Sequence, residues 1–161
     1  MHVELRNIKH AAFASDETEC FQASVWIDGK RAGEVSNEGH GGPNSYWPLD
    51  LETRLNTYAA TLPPITYGHL TVPMNADLFT SELLCDVLDA RQYDRLTKAY
   101  VLFVREGKLY QSNKLDKARL TRLCTRPAAA AALRAHWKAD VVLNSLPRNE
   151  ALVLFRKYAG G

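Results

Sequence analysis

The sequence predicts an α+β protein: an antiparallel sheet of about five strands, packed helices, and a basic helical subdomain at the C-terminus. Three observations point there. Apolar and polar residues alternate with period two in the first third of the chain, the mark of half-buried strands. Apolar residues recur at helical spacing over much of the remaining chain. Charge changes sign along the chain: residues 1–90 hold 5 Lys+Arg against 13 Asp+Glu, a net of −8, while residues 91–161 hold 15 against 5, a net of +10. The overall charge of +2 conceals this split. The expected organisation is a sheet domain over 1–112 with a helical subdomain over 113–161 packed on it, or a single domain over 1–161.

Taken in order, residues 2–9 read as a strand, with Val3 and Leu5 on one face and Glu4 and Arg6 on the other. Residues 20–28 are the clearest strand: Phe21, Ala23, Val25 and Ile27 alternate with Gln22, Ser24, Trp26 and Asp28. Trp26 falls on the mostly polar face and is expected to lie under a helix, the alternative being an exposed contact. Asp28-Gly29 is favoured chemistry for a tight hairpin, returning through a strand at 31–37. A helix runs from about Asp50, its N-cap, to Thr61, and Pro63-Pro64 ends it. Residues 65–72 read as one short irregular strand. Asn75 caps a helix running to about Ala90, and residues 92–98 continue as a second, shorter piece.

Ala99 to Val104 is an unbroken apolar run, as expected of a strand buried on both faces. Glu106-Gly107 makes its turn and residues 108–111 the return strand, placed in the same sheet as the first strands. From Asn113, a candidate cap, the chain reads as helical. Pro127 opens a second helix and Ala128 to Ala132 supply the strongest helix former. Residues 140–145 are ambiguous between helix and loop. Pro147 opens a last helix to about Tyr158, with Gly160-Gly161 ending it.

Two stretches carry candidate function. The first is residues 37–47, where Asn37, Gly39, His40, Gly41, Gly42, Tyr46 and Trp47 form the candidate ligand- or partner-binding set. Clustered glycines permit tight bends and close approach to a ligand. A phosphate loop is disfavoured, because no lysine follows, Pro43 removes a donor, and the helix starts too late. The structural alternative is a bulge and turn carrying the chain from sheet to helix. The binding alternative displays His40, Tyr46 and Trp47 at a loop tip, where large aromatics anchor partners.

The second stretch is a basic patch: Lys114, Lys117, Arg119, Arg122, Arg126, Arg134 and Lys138, with Asp116 the one acid among them. Such density suits phosphates. It equally suits a solvated face or one neutralised by the acidic half. No base-reading motif accompanies it, so nucleic-acid binding here would carry little sequence specificity.

Other chemistry has no motif behind it. The five histidines, His2, His10, His40, His69 and His136, show no metal-binding spacing, and no metal or cofactor is expected. Cys20, Cys85 and Cys124 form no CxxC pair and read as reduced cysteines in or near the core. No catalytic residue is assigned, for lack of a nucleophile elbow or an evident acid–base constellation. No apolar run reaches the length of a membrane span and no secretory signal is visible, so a cytoplasmic location is expected.

Val35-Ser36-Asn37-Glu38-Gly39-His40-Gly41-Gly42, after the Asp28-Gly29-Lys30 hairpin, resembles a pattern in small uncharacterised proteins of phages, plasmids and bacterial genomes. The resemblance covers roughly residues 3–65 and brings no established activity. It implies a mobile-element setting, in which small proteins often bind and block host defence machinery. The expectation is therefore a non-enzymatic module with a protein partner. Alternatives are a nucleic-acid-binding protein using the basic helices, and a small hydrolase or nucleotide-binding enzyme built on residues 37–47.

Overall fold

The computed structural model describes residues 1–159, Tyr67 through its backbone alone. The expected stop at Gly160-Gly161 lies outside the described residues. The protein is α+β. It divides into two compact units, Met1–Cys85 and Asp86–Gly161.

In the first unit, β1 (Val3–His10), β2 (Phe21–Ile27), β3 (Lys30–Asn37) and β4 (Ser45–Trp47) form an antiparallel sheet in that spatial order. The period-two reading holds: Val3, Leu5, Phe21, Ala23, Val25, Ile27 and Val35 are all buried. Asp28 and Gly29 both take positive φ (49° and 77°), the geometry that lets a two-residue turn match strand twist. The fourth strand lacks a sequence signature, being three residues long. Trp26 is half-buried. The Arg6 guanidinium, from the neighbouring strand, lies 4.1 Å from its ring centroid. Two hydrogen bonds to Glu4 (2.8 and 2.6 Å) hold that guanidinium in place.

Helix α1 (Asp50–Ala59) buries Leu51, Leu55 and Ala59. Each fully buried leucine contributes about 2–3 kcal/mol of transfer free energy. Its N-cap position is Leu49, with no side-chain cap, so Asp50 lies inside the helix and acts on its dipole rather than as a cap. Residues 65–72 form a hairpin of β5 (Ile65–Tyr67) and β6 (Leu70–Val72), because Gly68 at φ +60° turns the chain. Helix α2 (Ala76–Leu96) is continuous rather than broken near residue 91. Asn75 caps it as expected, its Oδ1 accepting from the Leu78 amide at 2.8 Å.

The second unit has its own sheet, in the order β8 (Lys108–Gln111), β7 (Leu102–Arg105), β9 (Val141–Val142), all antiparallel. The second hairpin thus does not extend the first sheet. Its apolar run has two faces to cover, and helices of its own unit cover both. Leu102 and Val104 pack with Tyr93 of α2 and with Ala151, Leu152 and Phe155 of α5 (Arg148–Ala159). Val101 and Phe103 pack with Leu120 of α3 (Lys117–Thr125) and with Leu133 and Trp137 of α4 (Pro127–Trp137). The ambiguous segment 140–145 resolves into β9 and a short 3-10 turn over Leu143–Ser145. Helix α3 is capped by Asp116, which accepts from the Arg119 amide at 2.8 Å, and not by Asn113. Among the described residues no helix is long and apolar enough to cross a membrane.

Candidate functional site

The glycine-rich stretch leaves β3 at Asn37 and re-enters the sheet at Ser45 as β4. Asn37 is buried, and its side chain is spent within the loop. Its Oδ1 accepts from the Thr18 hydroxyl (2.7 Å) and the Gly39 amide (2.9 Å), while its Nδ2 donates to the Gly42 carbonyl (3.3 Å) and Asn44 Oδ1 (3.1 Å). One acceptor, the Gly39 carbonyl, takes the amides of Asp16, Glu17 and Thr18 at 2.9, 3.0 and 3.3 Å. A Cβ on Gly39 would run into the Ala14 carbonyl oxygen and come within 2.8 Å of Cys20 Cβ, at a φ of +90°. The glycine is there for close approach between two loops, and the polar groups of both loops face each other.

The expected display of His40, Tyr46 and Trp47 together needs correction. In β4 successive side chains point to opposite faces, so Tyr46 is buried while Ser45 and Trp47 are exposed. The Tyr46 hydroxyl donates to Asp77 Oδ1 (3.0 Å), sits 3.2 Å from Thr80 Oγ1 and accepts from Asn44 Nδ2 (3.4 Å). Burial, above all, with the nearby Asp77 carboxylate, pushes its pKa up to about 12. Trp47 is 69% exposed, and Leu49 beside it 82%. His40 is exposed, its Nδ1 3.1 Å from an Asp16 carboxylate oxygen. The sequence did not single out Thr18, Asn44, Asp77 or Thr80, since side-chain hydrogen bonds across long separations leave no periodicity to read.

The basic stretch is built the opposite way. Lys114, Lys117, Arg119, Arg122, Arg126, Arg134 and Lys138 are all exposed, and among the described residues none makes an ion pair. The unit they belong to carries 15 Lys+Arg against 7 Asp+Glu, a net of +8. Four of those seven acids are engaged elsewhere. Asp94 holds Arg148 through two hydrogen bonds (2.9 and 2.8 Å), which keep its carboxyl below the usual range, and Asp86 pairs with Arg156 at 3.0 Å. Asp116 is occupied as a cap, and Asp140 accepts from the Glu106 amide at 3.0 Å.

No family model, curated protein or solved structure matches this chain. Its functional reading therefore rests on its own side chains. Lys138 adds to that reading. It closes α4 in the left-handed conformation (φ 49°), with its amide bonded to the Ala135 and Arg134 carbonyls and the Ala139 amide bonded to Arg134 (2.9 Å). Glycine occupies this position at least cost, and a lysine there is held at a conformational penalty. Helix α4 also lacks an acid at its N-terminus, where a carboxylate would favour the helix dipole.

Among the described residues no group of three or more His, Cys, Asp or Glu is placed to hold a metal ion. Cys20 and Cys124 are half-buried, while Cys85 is exposed on α2 rather than in the core. Burial pushes the Cys124 thiol up, away from the reactive thiolate.

Proposed function

We propose that the protein is a non-enzymatic nucleic-acid-binding module that engages phosphates through α3 and α4. The observation carrying this reading is the set of seven exposed cations without ion-pair partners, in a unit whose carboxylates are largely committed to other contacts. Phosphate contacts of this kind release counterions, so affinity falls steeply with salt. Retention of labelled DNA and RNA by the full chain, measured over a salt series, tests the reading. A triple variant Lys117→Ala/Arg122→Ala/Arg126→Ala lowers the slope of log affinity against log salt by roughly 2–3, if each cation meets one phosphate. No retention at low salt overturns the reading.

A second reading, a protein partner, is favoured by Trp47 and Leu49, two large apolar side chains exposed at the junction of β4 and α1. Adjacent exposed aromatic and aliphatic groups suit an interface anchor. Capture of a protein from the source cell by the wild type, lost on Trp47→Ser/Leu49→Ser with nucleic-acid retention unchanged, identifies this surface as a second one. Capture that survives the substitutions removes it.

A further inference from the structure

Within the second unit lies an open cavity of about 520 Å³ between the sheet, α3 and α4. That volume is inside the range of small-molecule sites, about 300–1,000 Å³. One side is aromatic and aliphatic: Phe103, Trp137 and Leu133 line it. Phe103 and Trp137 stack nearly parallel, with centroids 4.6 Å apart and planes 13° from each other. Tyr110 stacks on Phe103 in turn, at 5.6 Å and 17°, and the Arg105 guanidinium lies 4.7 Å from the Tyr110 centroid. The cavity also has Lys114, Arg119 and His136 in its lining, the first two from the unpaired basic set.

A flat ring system with an anion attached fits these features together. Trp137 is half-buried and lines the cavity, with the His136 ring tilted beside it at 6.3 Å, so a planar guest can be laid against the aromatic wall. The guest's phosphate then meets Lys114 and Arg119 without leaving the cavity. Apolar ligands leave those cations unused, and inorganic anions leave the rings unused. A duplex offers its bases stacked inside, out of reach of a recessed ring. Single-stranded nucleic acid offers both an open base face and a phosphate at the next link.

Building on the proposed nucleic-acid function, we infer that this cavity receives an unstacked base of single-stranded nucleic acid, laid against Trp137 with its flanking phosphates on Lys114 and Arg119. The inference adds a preference for single strands to a surface that otherwise senses charge alone.

The test compares a short oligothymidylate with an abasic oligomer of the same length and charge, both titrated into the full chain. A second readout uses Trp26→Phe/Trp47→Phe, which leaves Trp137 as the sole tryptophan, after confirming that the variant melts as the wild type does. Expected are binding of the base-bearing strand tighter by roughly 5- to 150-fold, the range of one base–aromatic stack, and quenching of Trp137 emission as it binds. Equal affinity for the two strands overturns the inference and leaves the phosphate-binding reading intact. So does a base preference with Trp137 emission unchanged, because the base is then seated elsewhere. Failure of both strands to bind overturns the inference and the proposed function together.

Discussion

The glycine-rich loop and the α3–α4 pair are the two regions where this sequence departs most from ordinary composition, and they are wired in opposite senses. In the loop, polar groups turn inward: the Asn37 side chain makes four hydrogen bonds and the Gly39 carbonyl accepts three. On and beside the helices, seven exposed cations find no carboxylate among the described residues, though Arg134 Nε donates to the Ala139 carbonyl at 3.2 Å. A buried polar group left without its partner costs about 1–3 kcal/mol, so the loop's polarity is a stability requirement. An exposed lysine or arginine costs almost nothing to change, so the helices' polarity is free to serve a partner. An unusual local composition thus has a different meaning according to where its hydrogen-bonding capacity points.

Five substitutions break or sharpen that contrast. The largest effect is expected of Gly39→Ala, where a Cβ meets the Ala14 carbonyl at a left-handed φ. The expected loss is about 3 kcal/mol or more, from strain plus collision, read as a shift of the urea midpoint. Gly42→Ala, at a similar φ of +89° but with nothing near its Cβ, is expected to lose only about 1 kcal/mol. Similar losses at the two glycines would show that backbone conformation, not close approach, dictates the loop.

Next comes Asn37→Ala, which strands the Thr18 hydroxyl and the Gly39 amide together. About 2–3 kcal/mol is expected, again by urea unfolding. A loss under half of that would mean the loop repacks and is less committed than its geometry indicates.

Tyr46→Phe removes the hydroxyl from Asp77 and Thr80, at about 1 kcal/mol near neutral pH. It also changes the alkaline limb. The folded value of about 12 exceeds the ordinary 10, so the folded state keeps a proton that the unfolded state has lost between them. The stability this group contributes is complete below pH 10 and is lost as pH rises through the folded value. Unfolding curves followed upward from pH 10 should fall more steeply in the wild type than in Tyr46→Phe. Parallel curves would place the hydroxyl in water.

The smallest effect has the opposite sign. Lys138→Gly should raise stability by about 0.5–1 kcal/mol, because glycine adopts the helix-ending conformation without penalty. It should also weaken retention of nucleic acid. A gain in stability with unchanged retention would take Lys138 out of the working surface.

Much of the fold is legible in residues 1–37 and 99–111. Alternation marks the first strands, an unbroken apolar run marks the second hairpin, and both two-residue turns, Asp28-Gly29 and Glu106-Gly107, take positive φ at each position. The allocation of strands to sheets is not legible. Period two says which side of a strand is apolar but not which element covers it, so pattern alone puts the second hairpin in the first sheet although its helices share its own unit. At the loop, glycine clustering locates a special backbone site. The direction of Tyr46 and Trp47 needs β4, a strand too short to announce itself. The basic patch can be read residue by residue, because like charges in sequence need no fold to be noticed. The stack of Tyr110, Phe103 and Trp137 draws on β8, β7 and α4, and no sequence window contains it.

The run from Val101 to Val104 lends its alternate side chains to two different cores, Leu102 and Val104 to one and Val101 and Phe103 to the other. A party wall of this kind ties the fates of its two rooms. Stripping α3 and α4 away would leave Val101 and Phe103 wet on a strand whose reverse still faced α5. The layers on either side are therefore bound to melt in one cooperative step, and a binder that clamps α3 and α4 would firm up the far side of the sheet as well.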